Sequence, residues 1–194
     1  MKGKKFALAI FALALVAISA ITATIVYCAT TLSGGGKTTV TYVADGTIKG
    51  TVTAKYQVEG KAEQEWGTIT YSGTEAENAT STLTENANAQ LNKTNKYIVY
   101  KFEFVADTST TASQGGYKAT LSFTDDTTTP TTNVDVQVSE DGSAYTAVTD
   151  LSTTIKSVDV TTTQTVYVKV SVHETLNNAR FAGEFKWNLA KLAG

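Results

Sequence analysis

The chain has 194 residues, of which 42% are hydrophobic, and its 16 basic and 18 acidic residues give a net charge of −2. This length suits one domain with a single hydrophobic core. A slightly acidic chain lacks the basic surface that nucleic-acid binding needs, so we expect no nucleic-acid partner. The one cysteine, Cys28, excludes a disulfide within the chain.

The first 28 residues predict export from the cytoplasm. Three lysines within the first five residues precede an uncharged run from Phe6 to Cys28, which is the layout of a signal peptide or of a membrane anchor. As a hydrophobic helix this run can span a bilayer, since about 20 mostly apolar residues suffice. Residues 1–28 are therefore a signal peptide or a retained anchor, and only residues 6–28 are expected to contact a membrane.

The sequence after this segment is typical of an extracellular β protein. Residues 29–37 contain Ser33 followed by three glycines and predict a flexible tether. The residues after Cys28 carry 13 basic and 18 acidic groups, a net charge of −5, and threonine, which favours strands, is their commonest type. We expect residues 38–194 to form one β-sandwich domain, located outside the cell or on its surface.

Alternating apolar side chains predict the strands of this domain in chain order. Early strands are expected near residues 38–44, 48–58 and 66–72, with Asp45-Gly46 as the turn of a first hairpin. Four later strands each place one apolar face on a core: Ile98, Tyr100, Phe102 and Phe104; Tyr117, Ala119, Leu121 and Phe123; Val166, Val168, Val170 and Val172; and Phe181, Phe185, Trp187 and Leu189.

The remaining segments complete an all-β prediction. Residues 134–148 predict a hairpin that turns at Asp141-Gly142, because glycine accepts positive φ. Residues 75–93 predict a short helix or an irregular loop, and residues 125–132, around the single proline, predict a loop. Some eight short strands indicate a two-sheet antiparallel sandwich, jelly-roll or immunoglobulin-like, preceded by the N-terminal hydrophobic helix.

No residue pattern supplies a complete catalytic or metal site. His173, the only histidine, opens a stretch that resembles the zinc-protease motif but has Asn177 in place of the second histidine. The acidic pairs Asp125-Asp126 and Glu140-Asp141 lie in predicted turns without the spacing of a calcium loop. We therefore expect no catalytic, metal-binding or cofactor-binding residues, no cofactor and no enzyme activity.

Carboxylates, tryptophans and asparagines leave weaker alternatives open. Trp187 is in phase with the predicted core, whereas Trp66 is expected to be partly exposed and could stack on a sugar ring. Asn78 and Asn92 begin formal N-glycosylation sequences. The carboxylates that a glycosidase could use are not grouped by the strand pattern: Glu63, Glu65, Glu103 and Glu184.

The layout resembles the TasA/camelysin-like secreted proteins of Gram-positive bacteria. The resemblance depends on the lysine-led export segment, the cysteine-free and threonine-rich body, and the closing run Phe-Ala-Gly-Glu-Phe-Lys-Trp-Asn-Leu from Phe181 to Leu189. The chain departs from that class at the signal junction, where Ile25 to Cys28 replaces an aromatic-rich stretch. The resemblance implies a jelly-roll fold and assembly in an extracellular or biofilm matrix.

Two functions remain open at this point. The first is a non-enzymatic, secreted or cell-surface structural protein that associates with itself through sheet edges, because an edge strand can pair with a neighbour's extended segment. Residues 30–44 would be the donated segment. The alternative is an adhesin-like or carbohydrate-binding sandwich that binds a cell-surface polymer or glycan through the loops at residues 75–93 and 125–132.

Overall fold

The computed structural model describes residues 31–32, 37–42, 49–72, 79–83, 89–91, 95–107, 116–128, 130–172 and 179–192. The predicted N-terminal helix lies outside these residues, and no helix within them is long and apolar enough to cross a membrane. The strands in the described part are β1 (Thr31–Leu32), β2 (Lys37–Tyr42), β3 (Lys49–Val58), β4 (Gln64–Ser72), β5 (Ala79–Leu83), β6 (Ala89–Gln90), β7 (Tyr97–Ala106), β8 (Tyr117–Asp125), β9 (Val134–Ser139), β10 (Thr146–Val148), β11 (Lys156–Val160), β12 (Thr163–Val172) and β13 (Gly183–Lys191).

The strands form two large sheets and one small ribbon. The larger sheet has the order β10-β9-β12-β7-β3-β4, the smaller has the order β11-β8-β13-β2-β5, and β1 pairs with β6. The described pairings are antiparallel except that of β2 with β13. The predicted all-β architecture of two sheets is confirmed, and the hairpin of β9 and β10 forms as expected.

The core lies between the two sheets, as the alternation predicts. Ile98 to Phe104 of β7 and Phe185 to Leu189 of β13 present their alternate side chains to it, and these are at most 1% exposed. Aromatic rings bridge the layers, with Phe102 lying 5.3 Å from both Phe185 and Trp187 between ring centroids. Burial of large apolar side chains, each contributing roughly 1.5–3 kcal/mol, stabilises the sandwich.

The expected first hairpin is wrong, because β2 does not pair with β3. Strand β2 lies in the smaller sheet beside β13 and β5, whereas β3 lies in the larger sheet between β7 and β4. The predicted turn Asp45-Gly46 lies outside the described residues. Alternation identifies the face that a strand buries, but it does not identify the strand that pairs with it.

Trp66 is buried, not partly exposed as the strand phase predicts. The register of β3 and β4 shifts between Ala54 and Lys55, because Trp66 is an extra residue in β4. Such a β-bulge moves the alternation by one residue. The indole therefore turns inward, and its ring centroid lies 5.7 Å from that of Tyr100 and 6.2 Å from that of Phe102.

Two further segments differ from their predictions. Residues 75–93 contain strands β5 and β6 in their described part, where a helix or an irregular loop was expected. Residues 79–83 pair with β2, although their sequence lacks the alternation of apolar side chains that predicts a strand. Strand β11 was not expected either, and it pairs along its whole length with β8.

Candidate interaction surfaces

Five of the residues singled out by the sequence lie outside the described part of the chain: Cys28, Asn78, Asn92, His173 and Asn177. The other candidates lie in surface turns, beside lysines at the surface, or in the core. Their positions show which of them the fold brings together.

The acidic turn residues bind backbone. Both carboxylate oxygens of Asp125 accept the N–H of Thr131, at 2.9 and 3.1 Å. Asp126 accepts the N–H of Thr128 at 2.7 Å. These contacts shape the predicted loop around residues 125–132. Within the described ranges, no three or more His, Cys, Asp or Glu side chains gather where a metal ion could bind.

The four candidate glutamates do not converge on one point. Lys55 Nζ lies 2.9 Å from Glu65 and 3.3 Å from Glu63. Hydrogen bonds to these two carboxylates raise the pKa of Lys55. Glu103 lies in β7 of the larger sheet and Glu184 in β13 of the smaller one, so the fold does not bring these two together as a pair.

Strand β2 occupies a distinctive place in the smaller sheet, between β13 and β5. It runs parallel to β13, with Lys37 opposite Glu184 and Tyr42 opposite Leu189, and antiparallel to β5. Because β2 has a neighbour on each side, its departure would leave two strands with unpaired backbone groups. Such an opening is a template for another extended segment.

Strand β5, on the far side of β2, also contacts the larger sheet. A Cβ at Gly67 of β4 would lie 2.9 Å from Leu83 Cδ2 of β5. Glycine therefore allows the edges of the two sheets to approach closely at this end of the sandwich. This contact gives β5 an attachment that does not depend on β2.

A second surface, which the sequence analysis did not single out, lies on the outer face of the larger sheet. We call it the tyrosine groove, and its volume is about 250 Å³. The alternation of β12 placed Tyr167 and Lys169 on a solvent-facing side, but it could not show which residues of other strands lie beside them. The side chains that give the groove its chemistry are Gln57, Glu59, Tyr97, Tyr145, Tyr167 and Lys169.

The ammonium of Lys169 lies among the aromatic rings of the tyrosine groove. Its Nζ is 4.2 Å from the ring centroid of Tyr97 and 5.5 Å from that of Tyr145, within the range of cation–π attraction. Partial burial, together with nearby Tyr167, raises the pKa of the Tyr145 hydroxyl. The groove therefore combines the Lys169 ammonium with three phenol rings, and the Glu59 carboxylate lies in the same lining.

The β9–β10 turn holds one wall of the tyrosine groove. Asp141 Oδ1 accepts the N–H groups of Ala144 and Ser143 at 2.9 and 2.8 Å, and these bonds hold the pKa of Asp141 well below its usual range. Gly142 has φ of 74°, and a Cβ there would lie 3.2 Å from Tyr167 Cζ. The glycine backbone thus packs directly on the Tyr167 ring.

Comparison with known proteins finds a distant structural likeness and no family match. No family model matches the chain, and no curated protein matches it. Among solved structures, the chain is similar to the major pilin from Streptococcus pyogenes, at 8% identity and a TM-score of 0.20, over 81% of this chain and 98% of that one. A point mutant of the same pilin gives a TM-score of 0.19 over the same shares. Likeness at this level carries no argument about function.

Proposed function

We propose that the chain is a non-enzymatic, secreted or cell-surface structural protein that assembles by exchanging strand β2 between copies. The observation that supports this most directly is the position of β2, which lies near the N-terminal end of the described part, after the two-residue strand β1, and between two strands of the smaller sheet. A neighbour's β2 would form the same backbone hydrogen bonds. Exchange of an identical element is a low-cost route to assembly.

The connections on either side of β2 also support exchange. Ser33 and three glycines precede the strand, and glycine is the residue type least restricted in φ and ψ. Seven residue steps from Tyr42 to Lys49 can span at most about 25 Å when extended, against about 10 Å between packed sheets. The segment between β2 and β3 is therefore long enough for β2 to move out of its own sandwich.

Export and topology are further parts of the same proposal. The lysine-led apolar segment at residues 1–28 would direct the domain out of the cytoplasm. The nested pairing of β9 with β10, β8 with β11 and β7 with β12 supports a jelly-roll topology. An extracellular sandwich with a donated strand is suited to a surface layer or matrix.

The experiment compares Thr39→Pro with Thr39→Ala in the full-length protein. Proline removes a backbone N–H in the middle of β2, whereas alanine keeps it, so only proline should disrupt pairing in the sheet. Electron microscopy and sedimentation are expected to show assemblies for wild type and Thr39→Ala, and at least a tenfold smaller assembled fraction for Thr39→Pro.

A truncation addresses the case in which Thr39→Pro fails to fold. Deletion of residues 29–39 removes the first three of the six residues of β2 together with the chain before them, and we expect a folded monomer with the circular-dichroism spectrum of a β protein. If the truncated protein forms the same filaments as wild type, assembly does not use β2 and the proposal is wrong.

A further inference from the structure

We propose that the tyrosine groove binds an acidic saccharide, with a sugar ring against the tyrosines and a carboxylate on Lys169. This site is separate from strand β2, and the proposal does not depend on strand exchange. Its lining residues are not members of the two loops from which a glycan site was expected, and they lie on the outer face of the larger sheet.

The rings provide the apolar part of the site. Tyr97, Tyr145 and Tyr167 are each partly exposed and come from β7, the β9–β10 turn and β12. Tyrosine offers a rigid, amphipathic surface that loses little conformational entropy on binding. The C–H groups of a sugar ring can pack on such rings, while the phenol hydroxyls hydrogen-bond to sugar hydroxyls.

The ammonium of Lys169 indicates that the sugar is an acidic one. Within the described part of the chain, the ion pairs of lysines involve Lys55, Lys101, Lys118, Lys156 and Lys186, and Lys169 is not among them. Its ammonium is held by ring faces instead. A ligand carboxylate would therefore form a charge-assisted hydrogen bond without displacing a protein carboxylate.

The polar edge and the size of the groove fit a sugar. Glu59 Oε2 accepts the backbone N–H of Lys96 at 2.6 Å, and Gln57 Nε2 donates to the carbonyl of Lys61 at 2.9 Å. Both side chains are thus held in place with further acceptor capacity for hydroxyl groups. A volume of about 250 Å³ is below the roughly 300–1,000 Å³ of sites for drug-sized ligands, which suits one or two sugar residues.

The test is calorimetric titration of the full-length protein with oligogalacturonate, and with a cello-oligosaccharide of equal length as the neutral probe. We expect oligogalacturonate to bind and Lys169→Gln to weaken binding at least tenfold, while Lys169→Arg, which keeps the charge, stays within about threefold of wild type. Lys118→Gln is the matched control, since Lys118 is an exposed lysine on the other sheet.

Several outcomes would overturn the proposal. They are the absence of oligogalacturonate binding, equal affinity for the neutral probe, or unchanged affinity in Lys169→Gln. Binding of poly-glutamate as tightly as oligogalacturonate would also overturn it, because the groove would then be a site for acidic peptides. The circular-dichroism spectrum and the thermal midpoint of each variant show whether a lost affinity reflects a lost fold.

Discussion

Trp187 meets Phe104 edge to face, with the ring centroids 4.6 Å apart and the ring planes at 72°. Phe104 belongs to β7 in the larger sheet and Trp187 to β13 in the smaller one, so this pair joins the two layers across the core. Strand β13 is also the parallel partner of β2. The contact between Phe104 and Trp187 therefore holds β13 in place, and β13 is the strand that an exchanged β2 would pair with.

Two substitutions at Trp187 should separate packing from hydrogen bonding. The indole is 1% exposed, and its Nε1 has no hydrogen-bond acceptor within the described residues. Trp187→Ala should lower the free energy of unfolding by about 3–5 kcal/mol, through loss of packing. Trp187→Phe should lower it by only about 1–2 kcal/mol, because phenylalanine keeps part of the packing and removes a buried N–H whose lack of a partner destabilises the fold. Urea unfolding measures both free energies, and a cost for Trp187→Phe as large as that for Trp187→Ala would contradict this account.

A pair of glycines offers a matched test of close packing. Gly60 and Gly116 have nearly the same φ, 70° and 72°. A Cβ at Gly60 would meet its nearest atom at 3.6 Å, whereas one at Gly116 would lie 2.5 Å from the carbonyl oxygen of Val160. Both alanine variants bear the cost of positive φ, about 1–2 kcal/mol, and Gly116→Ala should cost about 1–3 kcal/mol more. Similar urea midpoints for the two variants would contradict the packing described for Gly116.

The Asp141 turn predicts a pH dependence of stability. Because hydrogen bonds lower the pKa of Asp141 in the folded state, its carboxylate stabilises the fold above the unfolded-state pKa, about 3.9. That contribution is lost as the pH falls through the lower folded-state value. Asp141→Ala should therefore be less stable than wild type at pH 7, and the difference should shrink below about pH 4.

Thermal unfolding between pH 7 and pH 2 measures this difference for Asp141. Asp159→Ala is the control, because that exposed carboxylate makes one ion pair, with Lys118 at 3.7 Å, and such pairs contribute little. A difference between Asp141→Ala and wild type that stays constant down to pH 2 would show that the turn does not depend on the ionised carboxylate.

The sequence predicts the interior of the long strands well and their partners poorly. Tyr100 and Trp187 lie in the core as their alternation predicts, because one face of each strand must be buried. Trp66 does not obey the alternation of its strand, because one extra residue in a bulge reverses the inward and outward positions. The composition of the strand does not reveal the bulge. The tyrosine groove was not predicted either, because Tyr97, Tyr145 and Lys169 come together only when three separate segments pair.

The position of β2 beside β13 can be tested directly with a disulfide. Thr41 and Asn188 are opposite each other in the two strands, and residues opposed in a sheet lie within the Cα separation that a disulfide requires. The full-length protein would carry Thr41→Cys and Asn188→Cys, with Cys28→Ser to remove the native thiol. Oxidation is carried out separately on the monomeric and the assembled fractions.

Non-reducing gel electrophoresis then shows whether the paired β2 and β13 belong to the same chain or to two chains. Strand exchange predicts a cross-link within one chain in the monomer and a ladder of covalently joined chains in the assembled fraction, with both lost on reduction. Assemblies that contain only cross-links within single chains would contradict strand exchange, and no cross-link in either fraction would contradict the pairing of β2 with β13.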